Sequence, residues 1–177
     1  NLIVNRGKTI FLCDTSVIEY PDAKQLAEMA KSAARVVRLF GFDPKIAFLS
    51  HSTFGEPATD RTKRLSDAVE ILKKDNVDFK FDGEMQPDVA LEEVYKELYP
   101  FSEIVGSSNV LIMPSQHSAA ISYKMIKSMS RAKVIGPLLV GLGQPIEIAP
   151  LRSSTSDIIN LASIAAYSAD VIQYKKN

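Results

Sequence analysis

Residues 45–50 read KIAFLS, an apolar run of strand length with no polar alternation. Alternation marks a strand with one wet face, so an unbroken run marks a strand buried on both faces, as in a parallel sheet covered by helices. Residues 109–113, NVLIM, repeat the pattern. Each run empties into a polar turn, HSTFGEPATD over 51–60 and PSQHS over 114–118, and each turn leads into helical periodicity, over 61–74 and 119–131.

Outward from this pair the same alternation continues. Residues 9–13, TIFLC, are β-prone, and 16–19 extend that run past Asp14. Pro21 and Asp22 suit the first turn of a helix over 23–40, where Leu26, Met29, Ala30, Ala33, Val37 and Phe40 recur at helical spacing until Gly41 stops it. Residues 79–81 predict a short strand ending in the turn Asp82-Gly83-Glu84-Met85, and 89–98 a helix ending near Pro100. Residues 134–160, VIGPLLVGLGQPIEIAPLRSSTSDIIN, pass from an apolar run through Gly136, Pro137, Gly141 and Gly143 into a strand over 146–149. A turn at 150–154 then starts a final helix over 154–172. Strand and helix in turn predict one α/β domain over residues 1–177: three layers, a largely parallel sheet with helices on both faces.

Composition narrows the function. The 21 basic and 21 acidic residues cancel, so no field of one sign draws the chain to nucleic acid or an anionic membrane. No run is apolar and long enough to span a bilayer. One cysteine, Cys13, excludes an internal disulfide framework, and two histidines argue against a zinc site. A cytoplasmic setting is expected. The chain opens on Asn1 rather than Met, which suggests a piece of something longer.

In such sheets ligands sit outside the carboxyl ends of the strands, so the polar turns should line one edge. A strand, a turn carrying Arg152 and a helix start at Asp157 suit a phosphate or carboxylate, because helix N-termini expose unpaired N–H groups. The same residues also read as a plain cap, Ser153 or Ser154 with Asp157. His51 reads as a hydrogen-bonded structural histidine, and His117 as either a ligand contact or part of a cap. Asp82 and Glu84 read as turn carboxylates beside Gly83. No nucleophile elbow, phosphate-binding loop or dinucleotide fingerprint occurs, and GLGQP over 141–145 is too short for one.

Taken together, FLCDTSVIEYPDAKQLAEMA, KIAFLSHSTFG, FDGEMQPDVAL, NVLIMPSQHSAAISYKM, VIGPLLVGLGQPIEI and SDIINLASIAA resemble the phosphate acetyltransferase family in order and spacing, over nearly the whole chain. The resemblance implies the C-terminal half of the two-subdomain fold shared with isocitrate and isopropylmalate dehydrogenases. Phe54-Gly55, Asp82-Gly83-Glu84-Met85 and His117-Ser118-Ala119-Ala120-Ile121 look more like the acetyltransferase-like domain at the C-terminus of large bacterial NADP-dependent malic enzymes.

That likeness implies a regulatory and oligomerisation domain that binds acetyl-CoA or a related acyl-CoA as allosteric effector. The implied contacts are Ser52, Thr53, Ser115, Gln116, His117, Ser118, Gly136, Pro137, Gly141, Arg152, Ser153 and Asp157. It implies a homo-oligomer, at least a dimer, and a malic enzyme domain in the same chain that holds NADP and Mg or Mn. No cofactor or metal is expected in residues 1–177 themselves. Transacetylases carry a catalytic Ser-Arg pair where this chain has Pro150-Leu151, with Arg152 displaced by one residue. Losing one such donor typically costs about 10²–10³ in rate, so no catalytic residue is expected. The alternatives are an active phosphate acetyltransferase, with Arg152 in the catalytic role, and a purely structural oligomerisation domain.

Overall fold

The computed structural model describes residues 1–142 and 144–174, so Gly143 lies outside the described residues. The strands are β1 (Leu2–Asn5), β2 (Lys8–Cys13), β3 (Lys45–Leu49), β4 (Lys80–Met85), β5 (Val110–Ile112) and β6 (Lys133–Ile135). The helices are α1 (Ala23–Leu39), α2 (Asp60–Lys74), α3 (Pro87–Leu91), α4 (Gln116–Met129) and α5 (Thr155–Tyr174), with a 3₁₀ turn at Glu93–Lys96. The sheet runs β4-β3-β5-β2-β1-β6. Pairings β3–β4, β3–β5 and β2–β5 are parallel, whereas β1 is antiparallel to both β2 and β6. The expected α/β class and largely parallel sheet are both present.

Successive side chains leave a strand on opposite faces, and the two cores follow that rule. Phe11, Ile46, Phe48, Val110 and Ile112 join Leu26, Ala30, Ala34 and Val37 of α1 and Leu65, Ala68 and Leu72 of α2. On the other face, Leu12, Ala47, Leu49, Leu111 and Met113 join Val89 and Ala90 of α3, Ala119 of α4, and the loop residues Ile104 and Val105. KIAFLS and NVLIM are unbroken because each face has its own layer of helices. The alanines of α1 let it approach closely; Ala27 and Ala30 have no exposed surface.

Several boundaries differ from expectation. β1 pairs with β2 through a two-residue turn, Arg6 and Gly7 at φ 48° and 79°. Two positive φ values in succession match the right-handed twist of a hairpin. Residues 16–19 do not extend β2, because the Asp14 carboxylate accepts the N–H groups of Ser16, Val17 and Ile18 and curls the chain instead. Asp82 to Met85 are strand rather than turn, since β4 keeps pairing with β3 through them. The helix expected over 89–98 breaks into α3 and the 3₁₀ turn. Residues 146–149 form no strand; their pairing is a single bridge between Leu138 and Glu147. α4 starts earlier than its periodicity suggests, at Gln116, because Ser115 caps it.

Gly83 is required where β4 crosses Phe48. It sits at φ +147°, and a Cβ there would lie 2.8 Å from the Phe48 Cβ and 2.9 Å from the Phe48 carbonyl oxygen. Gly83→Ala is expected to lower stability by about 2–4 kcal/mol, from backbone strain plus overpacking. Urea unfolding checks this, and an unchanged midpoint would refute it.

Candidate functional site

The turn before α5 forms a notch of about 80 Å³ bounded by Lys127 of α4, Val134 and Ile135 of β6, Gly136, Pro150, Arg152, Ser153, Asp157 and Leu161. The Ser153 N–H donates to the Pro150 carbonyl at 2.9 Å and closes the turn. Ser154, not Ser153, caps the helix. The Asp157 carboxylate accepts from the Ser154 N–H at 3.0 Å and hydroxyl at 2.8 Å, while the Asp157 N–H donates back to the Ser154 oxygen at 3.2 Å. These bonds hold the Asp157 carboxyl below the usual aspartate range, with the Lys127 and Lys133 charges adding to the effect. Arg152, Lys127 and Lys133 form no ion pair among the described residues. Two cations, Lys127 and Arg152, against one carboxylate leave the notch lining with a net positive charge, and Lys133 stands near enough to act on Asp157.

Leu151, in the same turn, is fully exposed and lines no part of the notch. Pro137, next to Gly136 of the notch, helps to line an apolar cavity of about 650 Å³. The turn after β2, Met29 and Ala33 of α1, and Pro137, Leu138, Leu139, Val140 and Leu142 line it. Gly136 at φ +124° has no room for a side chain: a Cβ would meet the Asn1 side-chain oxygen at 2.6 Å. Gly141 is exposed, at φ +87°.

The other expected contacts lie elsewhere. Ser52 is fully buried and donates its hydroxyl to Glu84 at 3.0 Å; the same Glu84 oxygen accepts the Gly55 N–H at 2.7 Å. The Thr53 hydroxyl accepts the Gln86 N–H at 3.2 Å. Both side chains brace their loop from within. Ser115, Gln116, His117 and Ser118 stand at the start of α4, where most donors already have partners. The Gln116 N–H donates to the Glu19 carbonyl, the Ser118 N–H to the Ser115 hydroxyl, and the two serine hydroxyls bond each other at 2.9 Å. Gln116 and Lys127 are separated by eleven steps of α4, about 16 Å at the usual rise. The structure therefore groups Gly136, Arg152, Ser153 and Asp157, and separates them from Ser115–Ser118. Lys127 and Lys133 escaped the sequence reading, because a cation in the last turn of a helix looks like an ordinary dipole partner and one at the start of a strand like solvated surface.

Known proteins share the sequence pattern and the fold of this chain. The profile of phosphate acetyl/butaryl transferases matches residues 1–166. The chain belongs to the phosphate acetyl/butaryl transferase family. It is 46% identical over 164 residues to the NADP-dependent malic enzyme of Rhizobium meliloti, covering 93% of this chain but 22% of that relative. It is 34% identical over 169 residues to the phosphate acetyltransferase of Bacillus subtilis, covering 94% of this chain and 52% of that one. Among solved structures, a phosphotransacetylase from Streptococcus pyogenes superimposes with a TM-score of 0.89 at 33% identity, over 95% of this chain and 52% of the other. This member of the family thus spans about a fifth of the malic enzyme relative and about half of the transacetylases. Among its described residues no group of three or more His, Cys, Asp or Glu could hold a metal ion, and no helix is long and apolar enough to cross a membrane.

The cap makes a prediction. A depressed carboxyl pKa means that the Asp157 contribution to stability is fully present above the ordinary aspartate pKa and is lost as pH falls through the lower folded value. Carboxyl NMR titration is expected to give Asp157 a midpoint below the ordinary aspartate value of 3.8. In Ser154→Ala the midpoint should climb back toward that value. The Ser154 N–H stays in the variant, so an identical midpoint in both proteins would show that the Ser154 hydroxyl does not contribute.

Proposed function

We propose that this chain is a regulatory domain of an NADP-dependent malic enzyme, binding acetyl-CoA as allosteric effector and inactive in acetyl transfer. The observation that carries this reading is the turn at 150–152. The family resemblance calls for a Ser-Arg pair at Pro150-Leu151, and in its place stands a proline and a leucine that lies wholly in solvent. A leucine gives a developing oxyanion no donor. The binding elements persist. Arg152, Lys127 and Lys133 offer charge to phosphates or an acyl carbonyl, and the neighbouring apolar cavity has the size of an ordinary ligand site. The greater likeness to the malic enzyme relative than to the transacetylase relative supports the same choice.

On this reading a malic enzyme domain in the same chain oxidatively decarboxylates malate to pyruvate, with NADP and Mg or Mn bound there. The setting is cytoplasmic. An active phosphate acetyltransferase is the second reading, favoured by Arg152 and Asp157 sharing one notch. Calorimetry and an acetyl phosphate assay on the full-length protein separate the two. Arg152→Ala is expected to weaken acetyl-CoA binding about tenfold to a hundredfold, the usual loss for one charge-assisted contact. The wild type is expected to make no acetyl-CoA from acetyl phosphate and CoA. Unchanged affinity in the variant would place the effector elsewhere, and robust transfer abolished by Asp157→Ala would establish the second reading.

The proposal includes self-association, at least a dimer. Ile121, Met125 and Met129 recur every four residues on α4 and are 58%, 54% and 83% exposed, and Ile158 and Ile159 of α5 are 51% and 59% exposed. An exposed apolar stripe such as that of α4 marks a contact face. Met125→Lys is expected to lower the mass measured by light scattering, and a strictly monomeric wild type would overturn the assembly.

A further inference from the structure

A second cavity, of about 420 Å³, opens outside the carboxyl ends of β3 and β5. These neighbouring parallel strands send their chains to opposite faces, β3 into α2 and β5 into α4. Where connections diverge in this way the sheet leaves a crevice, and ligands of α/β proteins occupy it.

The chemistry of the lining is lopsided. It holds two arginines, one histidine, four serines and a tyrosine, and not one aspartate or glutamate. In a chain whose charges balance at 21 of each sign, that is a local excess of positive charge. Neither Arg61 nor Arg64 has a carboxylate partner within 4.0 Å among the described residues. Arg64 is held in place. Its terminal nitrogens donate to the Pro21 and Pro114 carbonyls, and its guanidinium stacks 3.7 Å from the centre of the Tyr20 ring. Its Nε is buried with no partner, and burial pulls its pKa down although Tyr20 and Asp22 act the other way. Arg61 stands one turn earlier on the same side of α2, exposed and tied to nothing among the described residues. Arg64 accounts for the clamp between two turns; Arg61 has no structural task.

We propose that this crevice binds a small phosphate ester, separately from the Arg152 notch. Two guanidiniums match a dianionic phosphate, and guanidinium–phosphate bonds are strong and directional. Ser122, on α4, adds a hydroxyl donor at the wall. Leu49, Leu65, Pro87 and Met113 supply apolar walls for the body of the ester. Ser115 and Ser118 at the start of α4 also line the crevice, but their hydroxyls already bond each other, so the proposal rests on the two guanidiniums and Ser122 and not on acetyl-CoA binding.

Calorimetry with phenyl phosphate, in chloride buffer and on the full-length protein, tests this. Wild type is expected to bind, Arg61→Gln to bind about tenfold more weakly, and Ser122→Asp to show no binding, because it sets a carboxylate in the wall. Arg152→Ala is expected to bind phenyl phosphate as wild type does, and Arg61→Gln to bind acetyl-CoA as wild type does. Both Arg61 and Ser122 lie at solvent-reachable positions, and unchanged melting temperatures confirm folded variants. Equal phenyl phosphate affinity in wild type, Arg61→Gln and Ser122→Asp would overturn the site. Malonate displacing phenyl phosphate better than inorganic phosphate does would overturn the phosphate assignment. Parallel loss of acetyl-CoA affinity in Arg61→Gln would overturn the separation of the two sites.

Discussion

Ile46, Phe48, Val110 and Ile112 have no exposed surface at all, and their neighbours Ala47, Leu49 and Leu111 are nearly as dry on the opposite face. Each large side chain buried in this way contributes about 1.5–3 kcal/mol. Two central strands without a wet face need helices above and below, and the connections must reach those layers. That demand sends the chain from β3 to one side and from β5 to the other, which opens the crevice between them. It also explains why the α1 helix is rich in alanine where it meets the sheet, and why Gly83 must be glycine where β4 passes Phe48.

The loops at the strand ends are held by a few polar groups that reach far along the sequence. Glu84, 2% exposed, gathers the Ser52 hydroxyl and the Gly55 N–H. Arg64 joins the turn at Pro21 to the turn at Pro114. Buried polar groups of this sort are stabilising only when paired, and they fix a loop in one shape. Ser52 and Thr53 illustrate the consequence: side chains that look available in the sequence are spent on holding their own loop.

The central architecture was legible because burial on both faces writes an unbroken apolar run. The hairpin of β1 was not, since Arg6-Gly7 lacks the Asn or Asp that usually announces such a turn. Residues 16–19 misled because β-propensity is weaker than three N–H bonds to one carboxylate, and residues 146–149 because apolar alternation alone does not supply a partner strand. In the site, the Arg152 turn and the Asp157 cap were both readable from spacing. The cations Lys127, Lys133, Arg61 and Arg64 were not: each looks like solvated surface until the fold shows which carboxylates are missing around it.

Gly136 lines the charged notch and the next residue, Pro137, lines the apolar cavity, so the two hollows meet across a single peptide bond. A change of backbone at that junction reaches both linings at once, and neither can be redesigned there as though the other were absent.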